Sequence, residues 1–518
     1  MKDYILAVDV GTQSTRAIVF SKEGKALFQA KKNANPYCRL QAGWAEVPAN
    51  QYWEDTAYVI KKVMDEIGDD KNRLRAMSIC AARDNILALD ENNEPLRDWF
   101  IWIDVRKAKG IEDLLNKELN AKDKLIYHSK GDFFKKVSER SKFNWLRLNE
   151  PENYAKAKTY VTIAGYLNYK LCGLIKDSHG MQVGYLPYDF KNKDWYKLKV
   201  VYRIMGVRRD QLADLVGPGQ EIGKIRKEAS KITGLPEGLS LIAAAGDKMC
   251  ETLGSGVFDE TAATISYGTL ATIGTTSTNY RSDNKLRYYV FLSCVKNAWN
   301  WEYNVYRGYW LISWYCNLFA QGRDLEDFLQ EMNQKAANIA PGSDGIFVFP
   351  FWTIQTGTYP NAKGIITGIT DMQNPVHLYR AIMEGLAYAL REGLEIMTSK
   401  SHSKPQKIYI VGGGSHSDVA MQITADVFNL PCIRKNSKEV GSIGASMVAA
   451  VGSGLYDSYQ ETVAIMSKDK DVFYPQEKNV KIYDRIYKEI YKKIYKQNEL
   501  LLKELDKVYE ITKAASRT

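Results

Sequence analysis

Three glycine turns follow apolar strand patterns in this 518-residue sequence: Asp9-Val-Gly11-Thr12, Tyr267-Gly268-Thr269 and Gly412-Gly413-Gly414-Ser415. Glycine lets backbone N–H groups come close to a ligand, and a turn of such groups with Thr or Ser hydroxyls suits phosphate oxygens. Taken singly, a glycine hairpin is most often only a turn; three in one chain point to a nucleotide. Carboxylates stand at two of the strand ends. Asp9, where an apolar strand meets a Gly-Thr turn, is suited to a hydrated Mg²⁺, an ion that prefers hard oxygen ligands and keeps its waters. Asp247, preceded by Gly246, ends a second apolar strand, where it can accept a proton from a substrate hydroxyl while a metal screens a triphosphate. No G-x-x-x-x-G-K-[ST] loop, H-E-x-x-H helix or cysteine-histidine cluster accompanies them, and only five histidines are present (His128, His179, His377, His402, His416), which excludes P-loop and zinc chemistry.

The elements that must position these residues read as α/β. Tyr4 to Phe20 is strand, polar turn, strand, and a third strand runs from Lys25 to Ala30. Helical periodicity follows at about Gln51 to Ile67 and Arg106 to Leu119, with strand patterns at Ala76 to Ala81 and Asn85 to Asp90 between them. After the turn Leu235-Pro-Glu-Gly238, the run Leu239 to Gly246 reads as a buried strand, followed by a short helix through Lys248 to Leu253. Ala262 to Gly274 then repeats the opening device, which predicts a second domain of similar design. The boundary is placed between 243 and 256, giving domains 1–246 and 247–518, as expected for a chain well above the size at which one core stops growing. A strand at Lys407 to Val411, a helix from Asp418 to Phe428 and a final helix at about Val480 to Thr512 complete the pattern. The last carries Tyr483, Tyr487, Tyr491 and Tyr495 at four-residue spacing, a stripe that covers a core or, less commonly, meets a partner.

Composition narrows the class. Hydrophobic residues at 45% and charged residues at 25% exclude wholesale disorder and fibrous repeats. The net charge of +10 comes from 71 basic against 61 acidic residues interleaved along the chain, a solvated surface rather than a nucleic-acid footprint. Seven cysteines (38, 80, 172, 250, 294, 316, 432), widely spaced and without a C-x-x-C pair, read as reduced core residues of a cytoplasmic protein. Asp3 and Asp9 would interrupt any signal-peptide core, and the uncharged stretch Thr261 to Tyr280 is too rich in Thr, Ser and Gly for a membrane span, so neither export nor a membrane partner is expected.

The ordered motifs resemble the FGGY family of carbohydrate kinases, within the actin, hexokinase and Hsp70 ATPase superfamily. The resemblance covers nearly the whole chain. Its carriers are Asp9-Val-Gly-Thr-Gln-Ser-Thr-Arg16, Gly43-Trp-Ala-Glu46 with Trp53, Trp102-Ile-Asp104-Val-Arg106, Lys142-Phe-Asn-Trp-Leu146, Gly246-Asp247, Tyr267-Gly268-Thr269, Gly364 to Ile369 with His377 to Gly385, and Gly412-Gly-Gly-Ser415 through Gln422. The resemblance implies two ribonuclease-H-like domains around a deep cleft, with ATP held mainly by the second and a sugar or polyol mainly by the first. It implies Asp247 as catalytic base and Asp9 as the organiser of Mg²⁺. Gly11, Thr12, Gln13 and Arg16 fall in the first phosphate turn, Gly268 and Thr269 in the second, and Gly412, Gly413 and Ser417 beside the adenosine. The expected reaction passes the γ-phosphoryl of ATP to a substrate hydroxyl, in a homo-oligomer, a dimer; a catalytically silent sugar or nucleotide sensor on the same fold is the alternative.

Departures bear on the substrate. Glu139 and Leu148 depart from the family's first signature, and Phe349 to Pro360 lacks the Glu-Arg pair common in sugar-specific members. Lys248 follows the base, where it keeps Asp247 ionised, touches a phosphate, or points to solvent. The substrate wall is expected at Arg83, Asp84, Trp102 and Asp104. Arg83-Asp84 stands where pentulose kinases of the family tend to carry Met-His and glycerol kinases Arg-Glu. An Arg-carboxylate pair can grip vicinal hydroxyls as donor and acceptor together, which favours a short polyol or small linear sugar, unless the two residues merely pair with each other.

Overall fold

The computed structural model describes residues 2–41, 43–129, 132–353, 357–401 and 403–515. The chain folds into two compact units. The first comprises Met1–Gly254, Phe291–Ala298 and Glu439–Ser467, and the second comprises Ser255–Val290, Trp299–Lys438 and Lys468–Thr518.

In the first unit, β1 (Tyr4–Val10), β2 (Ser14–Phe20) and β3 (Ala26–Asn33) form an antiparallel meander. β4 (Leu74–Ala81) and β6 (Ser240–Gly246) join it in parallel, β5 (Glu221–Lys224) edges the sheet, and the order is β5-β6-β4-β1-β2-β3. Residues of β1 and β4 are buried on both faces because helices cover both, which is why these strands read as continuous apolar runs. Helix α1 (Gln51–Ile67) turns Val59, Ile60, Val63, Met64 and Ile67 inward beneath β2 and β3. On β1, β4 and β6 lies α6 (Val440–Gly452), which enters the first unit from far along the chain.

The second unit repeats the strand order. β7 (Ala262–Tyr267), β8 (Ala271–Ser277) and β10 (Trp299–Val305) are the antiparallel meander, and β11 (Lys407–Val411) and β12 (Cys432–Lys435) run parallel to β7. With β9 (Tyr289–Leu292) and β13 (Asp469–Phe473) at the edges, the order is β9-β10-β8-β7-β11-β12-β13. Both sheets thus have the ribonuclease-H-like arrangement. Helix α4 (Pro375–Thr398) lies on β8 and β10, opened by Asn374, whose side chain accepts from Val376 N, and by a proline at its first position.

The tyrosine stripe of the last helix is a core face. Tyr483, Tyr487 and Tyr491 are buried on α4, and their hydroxyls donate to Glu384, Glu395 and Glu392 at 2.9, 2.7 and 2.8 Å. A four-residue spacing drifts by roughly 40° per step around an α-helix. The π-turn at Tyr487–Tyr491, between Glu477–Ile486 and Lys492–Ala515, takes up part of that drift.

The expected helix at Arg106 to Leu119 is shorter, Ile111–Glu118. Residues 104 and 106 are drawn into a buried ion-pair network, and Gly110, at φ 83°, resets the chain before the helix starts. Residues 354–356 of the segment Phe349 to Pro360, like His402, lie outside the described residues. Among the described residues no helix is long and apolar enough to cross a membrane.

Candidate active site

Because β1, β4 and β6 are parallel neighbours, their carboxyl ends emerge together in the first unit: Asp9 sits across from Cys80, and Gly246 from Ala81. The β1–β2 hairpin, closed by Gly11 N donating to Ser14 O at 3.0 Å, carries Thr12 and Gln13 at its tip and sets Arg16 opposite Asp9. Arg16 Nη1 lies 2.9 Å from Glu439 Oε2 and 4.0 Å from Asp9 Oδ2. Glu439 immediately precedes α6, and Gly441 in that helix leaves room for the Asp9 carboxylate, 3.9 Å from where a Cβ would stand.

Burial, then the charge of Asp247, pushes the Asp9 carboxyl up to about 7 against the pull of Arg16. Arg16 is shared between Asp9 and Glu439 and stands 4.0 Å from Asp9, so a divalent cation would complete the charge balance at Asp9. Among the described residues no group of three or more His, Cys, Asp or Glu is spaced to hold a metal by itself. One carboxylate with room for waters and phosphate oxygens fits Mg²⁺, which keeps most of its hydration shell.

Asp247 opens α3 (Asp247–Gly254). Its Oδ1 accepts from Lys248 N at 2.8 Å and pairs with Arg83 Nε at 3.1 Å, and its side chain is 37% exposed. Arg83 lies over Gly246, where a Cβ would come within 2.6 Å of its side-chain carbons, so the glycine before the acid is a packing requirement. The guanidinium also stacks on the Phe291 ring at 5.0 Å. The ammonium of Lys248 pairs with Glu251 at 3.1 and 3.2 Å, one turn along the same helix.

Asp84 has φ 57°, and Gly184 gives it space that a Cβ would fill. Burial raises its carboxyl to about 6, opposed mainly by Lys142. Asn85, fully buried, donates to the carbonyls of Ala82 and Arg83 at 2.9 Å each and accepts from Trp102 N at 3.1 Å, fixing both wall segments. Trp102, 43% exposed, donates from Nε1 to Thr12 Oγ1 at 2.9 Å, joining the wall to the first phosphate turn. Asp104 sits behind that wall. Its carboxylate accepts from Ala45 N at 2.7 Å, from Arg106 and from Lys142 Nζ at 2.7 Å, with no side-chain exposure; burial disfavours its charge, but these partners hold its pKa below the usual carboxylate range. The structure therefore brings Asp9, Thr12, Arg16, Arg83, Trp102 and Asp247 to one edge of the sheet, with Asp84 beside them and Asp104 as a buried support.

In the second unit the β7–β8 hairpin carries Gly268 and Thr269, and Tyr309 N donates to Gly268 O at 2.9 Å. The end of the neighbouring β11 delivers Gly412, at φ 82° and against the Tyr267 backbone, so only glycine fits. Gly413 begins a short helical turn to His416. Ser417 caps α5 (Asp418–Phe428), accepting from Ala420 N at 3.2 Å and donating to Asn333 Oδ1 at 2.6 Å. The two glycine turns thus lie at adjacent strand ends of one sheet.

The sequence reading missed Glu439 and, although it placed the cysteines in the core, the convergence of three of them. Glu439 had one available signal, an acid directly before the small-residue run Val440-Gly-Ser-Ile-Gly-Ala445, but only the fold brings it to Arg16. Cys80, Cys250 and Cys294 are far apart in sequence and meet beneath Asp9 and Asp247.

A family model for the N-terminal domain of the FGGY family of carbohydrate kinases matches residues 4–254, and one for its C-terminal domain matches 263–453. Among curated proteins, the chain is 29% identical over 521 residues to an uncharacterized sugar kinase, YgcE, of Escherichia coli strain K12, covering 98% of this chain and 96% of that one. It is 26% identical to the xylulose kinase of Lactococcus lactis, covering 93% and 95%. Among solved structures it is similar to a gluconate kinase from Lactobacillus acidophilus, with a TM-score of 0.82, 22% identity and coverage of 96% and 98%.

Proposed function

The chain belongs to the FGGY family of carbohydrate kinases, ATP-dependent phosphotransferases, and from that premise we propose that it phosphorylates a hydroxyl of a small linear sugar or polyol with Asp247 as general base. The observation that carries the proposal is the setting of Asp247. It is an acid at a strand-to-helix junction, half open to solvent, with one oxygen already held by Arg83 and Lys248 N. The held oxygen fixes the carboxylate's orientation, and the other is positioned to take the substrate's hydroxyl proton as the oxygen attacks the terminal phosphorus. The new O–P bond forms as the bond to the bridging oxygen of ADP breaks, and the proton ends on Asp247. Mg²⁺, held through Asp9, would neutralise charge on the phosphate oxygens.

In the first unit the backbone amides of Thr12 and Gln13 supply donors for phosphate oxygens, and Arg16, steadied by Glu439, adds a cation; in the second unit the turn at Gly268 and Thr269 presents amides of the same kind. Gly412 and Gly413 allow a flat ring to approach the backbone. Arg83 as donor and Asp84 as acceptor are placed to select vicinal hydroxyls, and Trp102 closes the wall above Thr12. The names carried by similar proteins make xylulose and gluconate the first substrates to try.

The test is ADP release by purified protein against polyols, pentuloses, hexuloses and aldonates. Asp247→Asn should bind nucleotide as before and lose at least about 10³-fold in kcat, since a positioned base contributes about 10² to 10⁴. Turnover retained in that variant would remove Asp247 from the role.

A further inference from the structure

Three buried thiols form a chain of contacts under the carboxylates of the first unit. Cys80, on β4, lies 3.5 Å from Asp9 Oδ1. Cys250, on α3 one turn after Asp247, lies within the reach of Cys80 and 3.4 Å from Ala245 O. Cys294, in the segment Phe291–Ala298, puts its sulfur 3.8 Å from Cys250 Sγ. All three are fully shielded from solvent, and the phosphoryl transfer proposed above assigns no step to them. Thiol contacts at this distance need only a small closure to bond, because a disulfide requires about 2.05 Å between sulfurs.

We propose that Cys250 and Cys294 are an oxidisable pair, and that the disulfide they form turns off phosphoryl transfer. Cys250 is the middle sulfur of the three, and donation from the Cys294 thiol 3.8 Å away favours charge on it against the cost of burial, which makes Cys250 the attacking sulfur. Its thiolate attacks one oxygen of hydrogen peroxide; the O–O bond breaks, and hydroxide leaves and takes the Cys294 proton as water. The Cys294 thiolate then attacks the Cys250 sulfenic sulfur, the S–O bond breaks, and the departing hydroxide takes up the proton that Cys250 released on ionising and leaves as the second water. Two thiols and one peroxide give one disulfide and two waters, with two electrons passing from sulfur to peroxide. A dithiol reverses the reaction.

Closing the sulfurs from 3.8 Å to about 2.05 Å is shared between rotation of the two side chains and a shift of α3 or of the 291–298 segment. Moving α3 displaces Asp247 directly. Moving the segment draws Phe291 away from Arg83, the residue that orients Asp247. A misplacement of about 1 Å is worth roughly 10²-fold in rate. This consequence for turnover rests on the kinase reading above; the cross-link itself does not.

The experiment treats wild type, Cys294→Ser and Cys294→Ala, each on a Cys38→Ser background that removes the exposed thiol, with graded hydrogen peroxide followed by catalase. Non-reducing peptide mass spectrometry and thiol counting then need no substrate. The expected result is a Cys250–Cys294 peptide pair lighter by two hydrogens, a turnover loss of at least about tenfold that dithiothreitol restores, and insensitivity in both Cys294 variants. Absence of the cross-link, a cross-link that leaves turnover unchanged, or equal and reversible inactivation of the Cys294 variants each overturns the proposal.

Discussion

The helix that begins with Asp247 is held by a crossing in which two glycines leave no room for side chains, and one methyl group there tests how far the site depends on it. At Gly444, on α6, an added Cβ would stand 2.6 Å from the carbonyl carbon of Cys250 and 3.0 Å from Gly254 N, and closer still to the Cys250 oxygen. Carbon pairs are at ease near 3.5 to 4.0 Å, so Gly444→Ala has to part α3 from α6 by about 1 Å. Overpacking of this kind usually costs about 1 to 3 kcal/mol, and a clash with backbone belongs at or above the upper end, against a helix-propensity gain of about 1 kcal/mol. The net expectation is a loss of about 2 kcal/mol or more, which lowers the melting temperature of the first unit by roughly 4 °C or more. Asp247 moves with its helix, so kcat should fall by about 10²-fold. Gly441→Ala is the comparison, since a Cβ there meets only Asp9 Oδ2 at 3.9 Å, and the propensity gain should leave stability unchanged or raised. Calorimetry and steady-state turnover of the two variants give the answer. A Gly444→Ala protein that melts with wild type and turns over normally would refute the crossing as the device that positions the base.

Two further outcomes follow from the same geometry. Glu439→Ala removes a charge-assisted hydrogen bond from Arg16, an interaction of about 1.5 kcal/mol or more, and should weaken Mg-ATP binding by about tenfold in calorimetric titration; an unchanged dissociation constant would make the pair incidental. Asp177 is buried, with its carboxyl raised by desolvation to about 6 despite bonds from Thr162, Ser178 and Gln182. A folded-state value above the unfolded one means that the contribution is fully present below about pH 4 and lost as pH rises through 6. Wild type should therefore lose about 3 kcal/mol relative to Asp177→Asn between pH 4 and 7, followed by urea unfolding; parallel pH profiles for the two proteins would contradict this.

The acids and the glycine turns were legible because their signals are local. An apolar strand ending in Asp9 and a Gly-Thr pair can be recognised within a dozen residues, and the same device recurs at Tyr267 to Thr269. The helices Gln51–Ile67 and Asp418–Phe428 and the strand Lys407–Val411 follow their periodicity residue for residue. What escaped the sequence depends on long-range contact. Asp104 reads as part of the substrate wall, yet Arg106 and Lys142 enclose it behind that wall. Arg83 reads as one half of a grip on substrate hydroxyls with Asp84, and only the adjacency of β4 and β6 shows that its Nε goes to an acid 164 positions away. Cysteine spacing, likewise, gives no hint that three sulfurs converge.

The first unit is assembled from three stretches of chain, and α6, which covers β1, β4 and β6, leaves the ribosome only after residues 255 to 438. For the whole interval in which residues 255 to 438 are being synthesised, the nascent sheet presents an uncovered oily face, and Asp247 sits on a helix that lacks its brace. Translation thus delivers Asp247 early and its support late, which leaves a long window for chaperone engagement or aggregation before the first unit is complete.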